Sequence, residues 1–203
     1  MTDFDAAAAT WDQDPIKSER ARTIAAAILK RLPLDKTMRA MEYGAGTGLL
    51  GFALQPHVGE VVLADVAPGM LSVARAKIAQ KSAANMSVVR LDLETEALPQ
   101  RCFDLVVMMM TLHHIADTSS ILDKFYALLN PGGHLCIADL DREDGSFHGP
   151  GFTGHLGFDR AELTVLLGTA GFADIHFETV YHMRRTVDNA MRSFPIFLMT
   201  AQK

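Results

Sequence analysis

"MRAMEYGAGTGLLGFALQ", Met38 to Gln55, is the stretch that decides the fold. Its first part, MRAMEYG (38–44), reads as a short strand ending at a glycine, and LLGFALQ (49–55) reads as a short helix. Between them lie Gly44, Ala45, Gly46, Thr47 and Gly48. Glycines there let the backbone turn tightly and come close to a ligand. A strand, a glycine loop and a helix in that order open a βαβ unit. The dinucleotide fingerprint G-x-G-x-x-G would need a third glycine at residue 49, where the chain has Leu49. The Gly-Lys-Ser/Thr phosphate loop is also absent.

Outward from this loop, strand and helix alternate. EVVLAD (60–65), MSVVRLD (86–92), FDLVVMM (103–109) and HLCIADL (134–140) read as strands. The run at 103–109 is nearly all apolar, as for a strand buried on both faces. Helices are expected at 49–55, 68–83, 117–130 and from Asp159 to Gly171, with Asp159 and Glu162 spaced as a capping box. DIHFETVYHM (174–183) and FPIFLMTA (194–201) are the last two strands, separated by about ten residues without a helical pattern. They are expected to form an antiparallel hairpin at one edge. The whole predicts an α/β, doubly wound, Rossmann-like sheet of seven strands, mostly parallel, with an antiparallel strand at the C-terminal edge. One domain is expected over 1–203: a helical cap (1–35), a cofactor-binding half (36–140), and a substrate-side loop with the C-terminal hairpin (141–203).

Ligands on such sheets sit at the carboxyl ends of the strands. Three acids stand there. Glu42 precedes the glycine loop, Asp65 ends the second strand 21 residues after Gly44, and Asp92 ends the third strand, followed by Leu93. A carboxylate at the position of Asp65 accepts bonds from ribose hydroxyls, and one at Asp92 accepts from an exocyclic amine. Three acids around one cleft suit an amine-bearing or cationic ligand and suit a pyrophosphate poorly.

The 203-residue chain is 49% hydrophobic and carries a formal net charge of −5, so no broad field draws in nucleic acid. No apolar run is long enough to span a bilayer. The start, Met-Thr-Asp-Phe-Asp, lacks the basic opening of an export signal, so a cytoplasmic location is expected. Two cysteines, Cys102 and Cys136, build neither a disulfide framework nor a zinc quartet.

MEYGAGTG, VVLADVAPGML, VVRLDLE, FDLVVMMMTLHHI and LLNPGGHLCIADL together resemble the successive motifs of the class I S-adenosylmethionine-dependent methyltransferases, in their small-molecule branch. The resemblance covers about 38–140. It implies S-adenosyl-L-methionine as cofactor and methyl transfer to an O, N or C nucleophile of a small molecule. It also implies that Tyr43, Gly44, Ala45 and Gly46 approach the methionine part, that Asp65 binds ribose, and that Asp92 and Leu93 hold adenine. Val66 and Met70 would pack adenine's other side, and Met108 or Met109, with Met110 near, would lie beneath the sulfonium.

An N-terminal helix is expected over Pro15–Leu32, with Asp14 as cap and Ile16, Ile24, Ile28 and Leu32 on one stripe. Trp11, just ahead of it, is either a lid over the cofactor or a hydrophobic staple for the helix start. Lys17 and Arg20 are candidates for the cofactor carboxylate. His113 and His114 follow the fourth strand, where the acceptor arrives. Either is a general base if the acceptor must lose a proton, or a pocket wall if not. The glycine-rich segment 141–158 is longer than usual connections and reads as a substrate lid, with His148 and His155 lining the acceptor pocket. Adjacent histidines in a turn tend to splay apart, and no spacing at 139–159 is diagnostic, so no metal is expected. Two competing readings stand: a non-catalytic cofactor-binding sensor or partner subunit, and a nicotinamide-dependent oxidoreductase.

Overall fold

The structure, a computed structural model, describes residues 3–203. A short helix α1 (Phe4–Ala7) and a 3-10 turn (Ala8–Gln13) lead into α2 (Pro15–Arg31). Asp14 caps α2 by accepting from the Ile16 N–H at 2.9 Å, and Pro15 takes the first turn, where its missing N–H costs nothing. Then come β1 (Arg39–Tyr43), α3 (Leu49–Leu54), β2 (Glu60–Asp65), α4 (Pro68–Lys81), β3 (Met86–Arg90) and β4 (Phe103–Met109). The chain ends with α5 (Thr118–Leu128), β5 (Leu129–Leu140), α6 (Arg160–Thr169), β6 (Ala173–Val187) and β7 (Ala190–Gln202).

The seven strands lie in the order β3-β2-β1-β4-β5-β7-β6. β3 through β5 are parallel, and β7 runs antiparallel to both β5 and β6. This is the expected doubly wound sheet. Two apolar layers cover its faces. Ile24 and Ile28 of α2, Leu50 and Leu54 of α3 and Ala74 of α4 pack one side. Ile121, Leu122 and Phe125 of α5 with Leu163 and Leu167 of α6 pack the other. β4 feeds both: Val106 and Met108 face the α5 side, and Leu105 and Val107 face the α2 side.

Several details differ from the sequence pattern. The last two strands run on to a two-residue turn, Asp188-Asn189, both at positive φ (+49° and +61°). Asn and Asp tolerate that conformation, and a primed turn matches strand twist, so no ten-residue loop is needed. Ile16, expected on the buried stripe, is 49% exposed, whereas Arg20 on that stripe is buried. Asp159 does cap α6, through the Ala161 and Glu162 N–H groups, but the Glu162 carboxylate pairs with Arg142 and does not close a capping box. The segment 141–158 is docked and does not hang free. Arg142 and Glu143 N–H donate to the carbonyls of Phe158 and Leu156, Asp144 pairs with Arg192 at 2.8 Å, and Phe147 is buried against Phe194.

The centre of the sheet sets where a ligand fits. β1 and β4 are neighbours, but the chain leaves β1 toward α3 on one face and leaves β4 toward α5 on the other. A crevice opens between the two departing loops. Their closest approach is Thr111 against Gly44, where the Thr111 hydroxyl donates to the Gly44 carbonyl at 3.2 Å. Gly44 sits at φ +67°, and a Cβ there would meet Thr111 Cγ2 at 2.2 Å. Gly149, at φ +80°, has nothing within 4 Å of such a Cβ. Gly149→Ala is therefore expected to cost only the left-handed backbone term of about 1–2 kcal/mol. Gly44→Ala should exceed that cost in urea denaturation, because the collision adds to it; equal losses would show that the contact is not tight.

Candidate cofactor and acceptor cleft

The crevice forms an open cleft at the carboxyl ends of β1, β2 and β4. The glycine loop, Asp65 and Val66 line one end, Met109, Met110 and Thr111 the floor, and Phe4, Trp11 and Arg20 the front.

Asp65 is held by two backbone donors: Gly46 N–H on Oδ2 at 2.7 Å and Ala67 N–H on Oδ1 at 2.9 Å. An ionised carboxylate has about four acceptor positions, so lone pairs remain for a ligand. Glu42 points under α3, is 1% exposed, and accepts from the Gly51 N–H at 2.7 Å. Burial pushes its pKa up to about 8, against the pull of that hydrogen bond. At neutral pH it is mostly a carboxylic acid and adds little negative charge to the cleft.

Arg20 has a single side-chain hydrogen bond, Nη1 to Met183 Sδ at 3.0 Å, and its buried Nε has no partner among the described residues. Burial draws its pKa below the usual guanidinium value, though a guanidinium stays charged in proteins. A buried cation without a carboxylate at the front of a cleft is a ready counter-charge for an anionic ligand group. Lys17, the other candidate, lies 3.4 Å above the Trp11 ring and is not at the cleft.

The front segment is tied down at both ends. Asp5 accepts from the Gly69 N–H at 2.6 Å. Asp12 accepts from the Thr47 hydroxyl and pairs with Lys77 at 2.6 Å, and Lys77 also donates to the Thr47 carbonyl. Trp11 thereby packs with Phe4, Ala67 and Met70 across the mouth. It walls the cleft; its apolar cluster of Phe4, Ala8, Ala67, Met70 and Val73 includes no residue of α2, which meets the ring through the Lys17 ammonium.

Tyr43, Gly44, Ala45, Gly46, Asp65, Val66, Met70 and Met109 all reach the cleft, as the sequence led one to expect. Met108 does not; it is fully buried on the α5 side because side chains alternate along β4. Asp92 and Leu93 stand just off the cleft. Asp92 closes its own turn through the Glu94 N–H and the Thr95 hydroxyl, and Leu93 is buried with its N–H donating to the Tyr43 hydroxyl at 2.9 Å. Glu94 lines the cleft beyond them, as does Leu49, whose side chain stands where a dinucleotide fingerprint has its third glycine. Thr111, in the loop after β4 where the acceptor was expected to arrive, also lines it, as do Phe4 and Ile115, which carried no sequence signal. Met110, at φ +54°, bends the chain there, a left-handed residue that only the fold reveals.

The histidines separate. His114 lines the cleft, against Phe4 at 5.5 Å. His113 is buried behind it, with Nδ1 2.6 Å from Asp139 Oδ1 and its backbone N–H on Oδ2 at 3.2 Å. Asp139, 0% exposed, is a partner no spacing rule finds, since it lies on the neighbouring strand 26 residues on. His148 stacks on Phe152 at 3.8 Å beside both. Burial and the facing His113 push His114 down to about 4, and burial with His113, His114 and Arg185 does the same to His148. A base that weak has little pull on an acceptor proton. His155 faces away from the cleft and bonds the Ile115 carbonyl at 2.9 Å, so it anchors the loop and does not line the pocket.

The family described as "Methyltransferase domain" matches residues 41–135. A biotin biosynthesis bifunctional protein BioCD of Bordetella avium is 33% identical over 142 residues, 69% of this chain and 30% of that protein. The chain spans less than half the length of the curated relatives it matches. A solved complex of the Haloferax volcanii Trm112 methyltransferase activator with a methyltransferase superposes with TM-score 0.79 at 19% identity, over 100% of this chain and 98% of that one. Phosphoethanolamine N-methyltransferase 2 of Haemonchus contortus, in complex with S-adenosyl-L-methionine, superposes with TM-score 0.71 at 18% identity, over 88% and 52%. Among the described residues, no helix is long and apolar enough to cross a membrane.

The raised pKa of Glu42 sets a pH dependence. The unfolded group binds its proton only below about 4.5, whereas the folded one keeps it to about 8. Its contribution to stability is therefore full below pH 4.5 and is lost as pH rises through 8. Glu42→Gln, which keeps an acceptor for Gly51, should gain stability relative to the parent between pH 5 and 8, with a slope approaching about 1.4 kcal/mol per pH unit. Denaturation at several pH values reads this difference; a flat difference would mean an ionised Glu42.

Proposed function

We propose that the chain is a class I S-adenosylmethionine-dependent methyltransferase and that it transfers the cofactor's methyl group to a small-molecule acceptor bound beside His114 at the end of β4. The observation that carries this reading is the arrangement of charge around the cleft. The Asp65 carboxyl group and Arg20, whose buried Nε has no partner among the described residues, both line the cleft, together with the apolar Met109 and Met110. This suits a ligand with hydroxyls at one end, a carboxylate at the other and a cationic sulfur in the middle.

Bound there, S-adenosylmethionine supplies a methyl group on a positively charged sulfur. Everything else falls to the chain's own residues. Asp65 accepts from ribose hydroxyls through its free lone pairs. Val66, 48% exposed, and Met70 offer apolar surface to adenine, with Asp92 and Leu93 at its edge. Tyr43, Gly44, Ala45 and Gly46 pass close beneath the methionine part, whose carboxylate meets Arg20. Met109 and Met110 form a floor that brings no charge near the sulfur. Phe4, Trp11 and Ile115 exclude water, so an aligned nucleophile attacks in a dry site. His114 forms the acceptor's wall, and His148 stands behind it. The nucleophile is an oxygen, nitrogen or carbon of a small molecule. The formal net charge of −5 offers no broad field for a nucleic acid substrate.

A second reading is a cofactor-binding subunit that works with a protein partner. What favours it is the likeness in fold, over the whole chain, to a solved complex that contains a methyltransferase activator.

Calorimetry with S-adenosylhomocysteine tests the cofactor assignment. Binding in the micromolar range is expected, weakened about 10–100-fold by Arg20→Met through loss of a charge-assisted bond worth about 1.5–3 kcal/mol. Methylthioadenosine, which lacks the carboxylate, should bind the parent and Arg20→Met equally. No binding of S-adenosylhomocysteine at millimolar concentration would sink the assignment. A metabolite extract incubated with labelled cofactor then identifies the acceptor; an absence of turnover alongside a stable protein partner would favour the second reading.

A further inference from the structure

His113, His114 and His148 each bring a ligating atom to within 4.8 Å of the others. The adjacent pair does not splay; the His113 and His114 rings sit 4.2 Å apart, centre to centre, and His113 to His148 is 4.8 Å. Three features distinguish this cluster from aromatic packing. First, His113 Nδ1 is committed to the buried carboxylate of Asp139, which fixes the ring and leaves Nε2 as its free nitrogen. A carboxylate holding the far nitrogen of an imidazole is the usual outer support of a metal-bound histidine. Second, His148 Nδ1 is buried with no hydrogen-bond partner among the described residues. Stacking on Phe152 leaves that nitrogen desolvated without compensation, a cost folded proteins rarely leave standing. Third, the loop that carries His148 is pinned in place. His155 N–H donates to the His113 carbonyl at 2.8 Å, Phe147 is buried against Phe194, and Arg185 donates to the Phe147 carbonyl.

We propose that His113, His114 and His148 bind one divalent transition-metal ion of the zinc class, with Asp139 orienting His113. Imidazole donors suit zinc, copper, nickel or iron and suit magnesium or calcium poorly. Nitrogen atoms around a four-coordinate zinc lie about 3.3 Å apart, from bonds of about 2.0–2.1 Å. The three side chains therefore close by roughly 1.5 Å on ligation, small rotations for two half-buried rings. Three protein ligands leave a fourth position open. His114 lines the cleft, so the ion sits in its wall, with water or an oxygen donor of a bound molecule completing the shell. The site stands on the histidine geometry alone and does not require the methyl-transfer reading.

The test uses the full chain, stripped of metal with a chelator. Titration with zinc by calorimetry, and with cobalt(II) by visible absorption, should show one ion per chain at micromolar affinity or tighter, with the absorption of four-coordinate cobalt. His148→Ala should weaken binding at least tenfold and abolish the zinc-induced rise in melting temperature. Asp139→Asn should weaken it by about 10–100-fold. His57→Ala, on an exposed turn away from the cluster, should change nothing. If His148→Ala does not fold, His148→Gln, which keeps the bulk but is a poor metal ligand, gives the same readout. Binding weaker than millimolar would overturn the proposal. So would binding unchanged by His148→Ala, or binding lost instead in His134→Ala or His176→Ala at the opposite end of the sheet.

Discussion

The divergence of β1 and β4 is the constraint on which the rest of the molecule depends. The two strands are neighbours in the sheet, yet their following helices pack on opposite faces. Their loops must therefore part, and a crevice forms without any residue being spent to create it. The Thr111 hydroxyl on the Gly44 carbonyl closes the base of that crevice. Each wall of the cleft follows from which element happens to end there: the glycine loop from β1, Asp65 from β2, and the methionines and His114 from β4.

Electrostatics in the cleft rest on burial more than on formal charge. Glu42 looks like one of three acids, but burial holds it mostly protonated at neutral pH. Asp65 is held in place at the cleft by the Gly46 and Ala67 N–H groups. Arg20 is the opposite case, a buried cation with no carboxylate in direct contact among the described residues, although Asp14 and Asp139 act on it from farther off. Unpaired charge of that kind is expensive in a folded protein and points to a partner that arrives with the ligand.

The front segment walls the cleft, the loop 141–158 packs behind His114, and each is fastened by charged residues to a distant element. Asp12 joins the glycine loop to α4 through Thr47 and Lys77. Asp144 and Phe147 join the long loop to the C-terminal hairpin. The hairpin is accordingly more than an edge. Its extension to the Asp188-Asn189 turn supplies Arg185 and Arg192, which hold the segment bearing His148.

Sequence alone determined the alternation of strand and helix, the seven-stranded sheet, the position of the cleft, and most residues that reach it. Hydrophobic period, glycine at a tight turn and acids at strand ends account for the sheet, the loop and the carboxylates, whereas Tyr43, Val66, Met70 and Met109 were implied by the resemblance to methyltransferase motifs. Tertiary structure alone decided the rest. That Met108 is core while Met109 is floor depends on which face of β4 each residue takes. That His155 anchors the loop on the Ile115 carbonyl while His148 stands beside His113 and His114 depends on how the long loop docks. Asp139 became the partner of His113 because β5 lies beside β4, a pairing between strands 26 residues apart that no local pattern encodes. Period and spacing report which way a side chain points along its own element. Only packing between elements reports what it meets there.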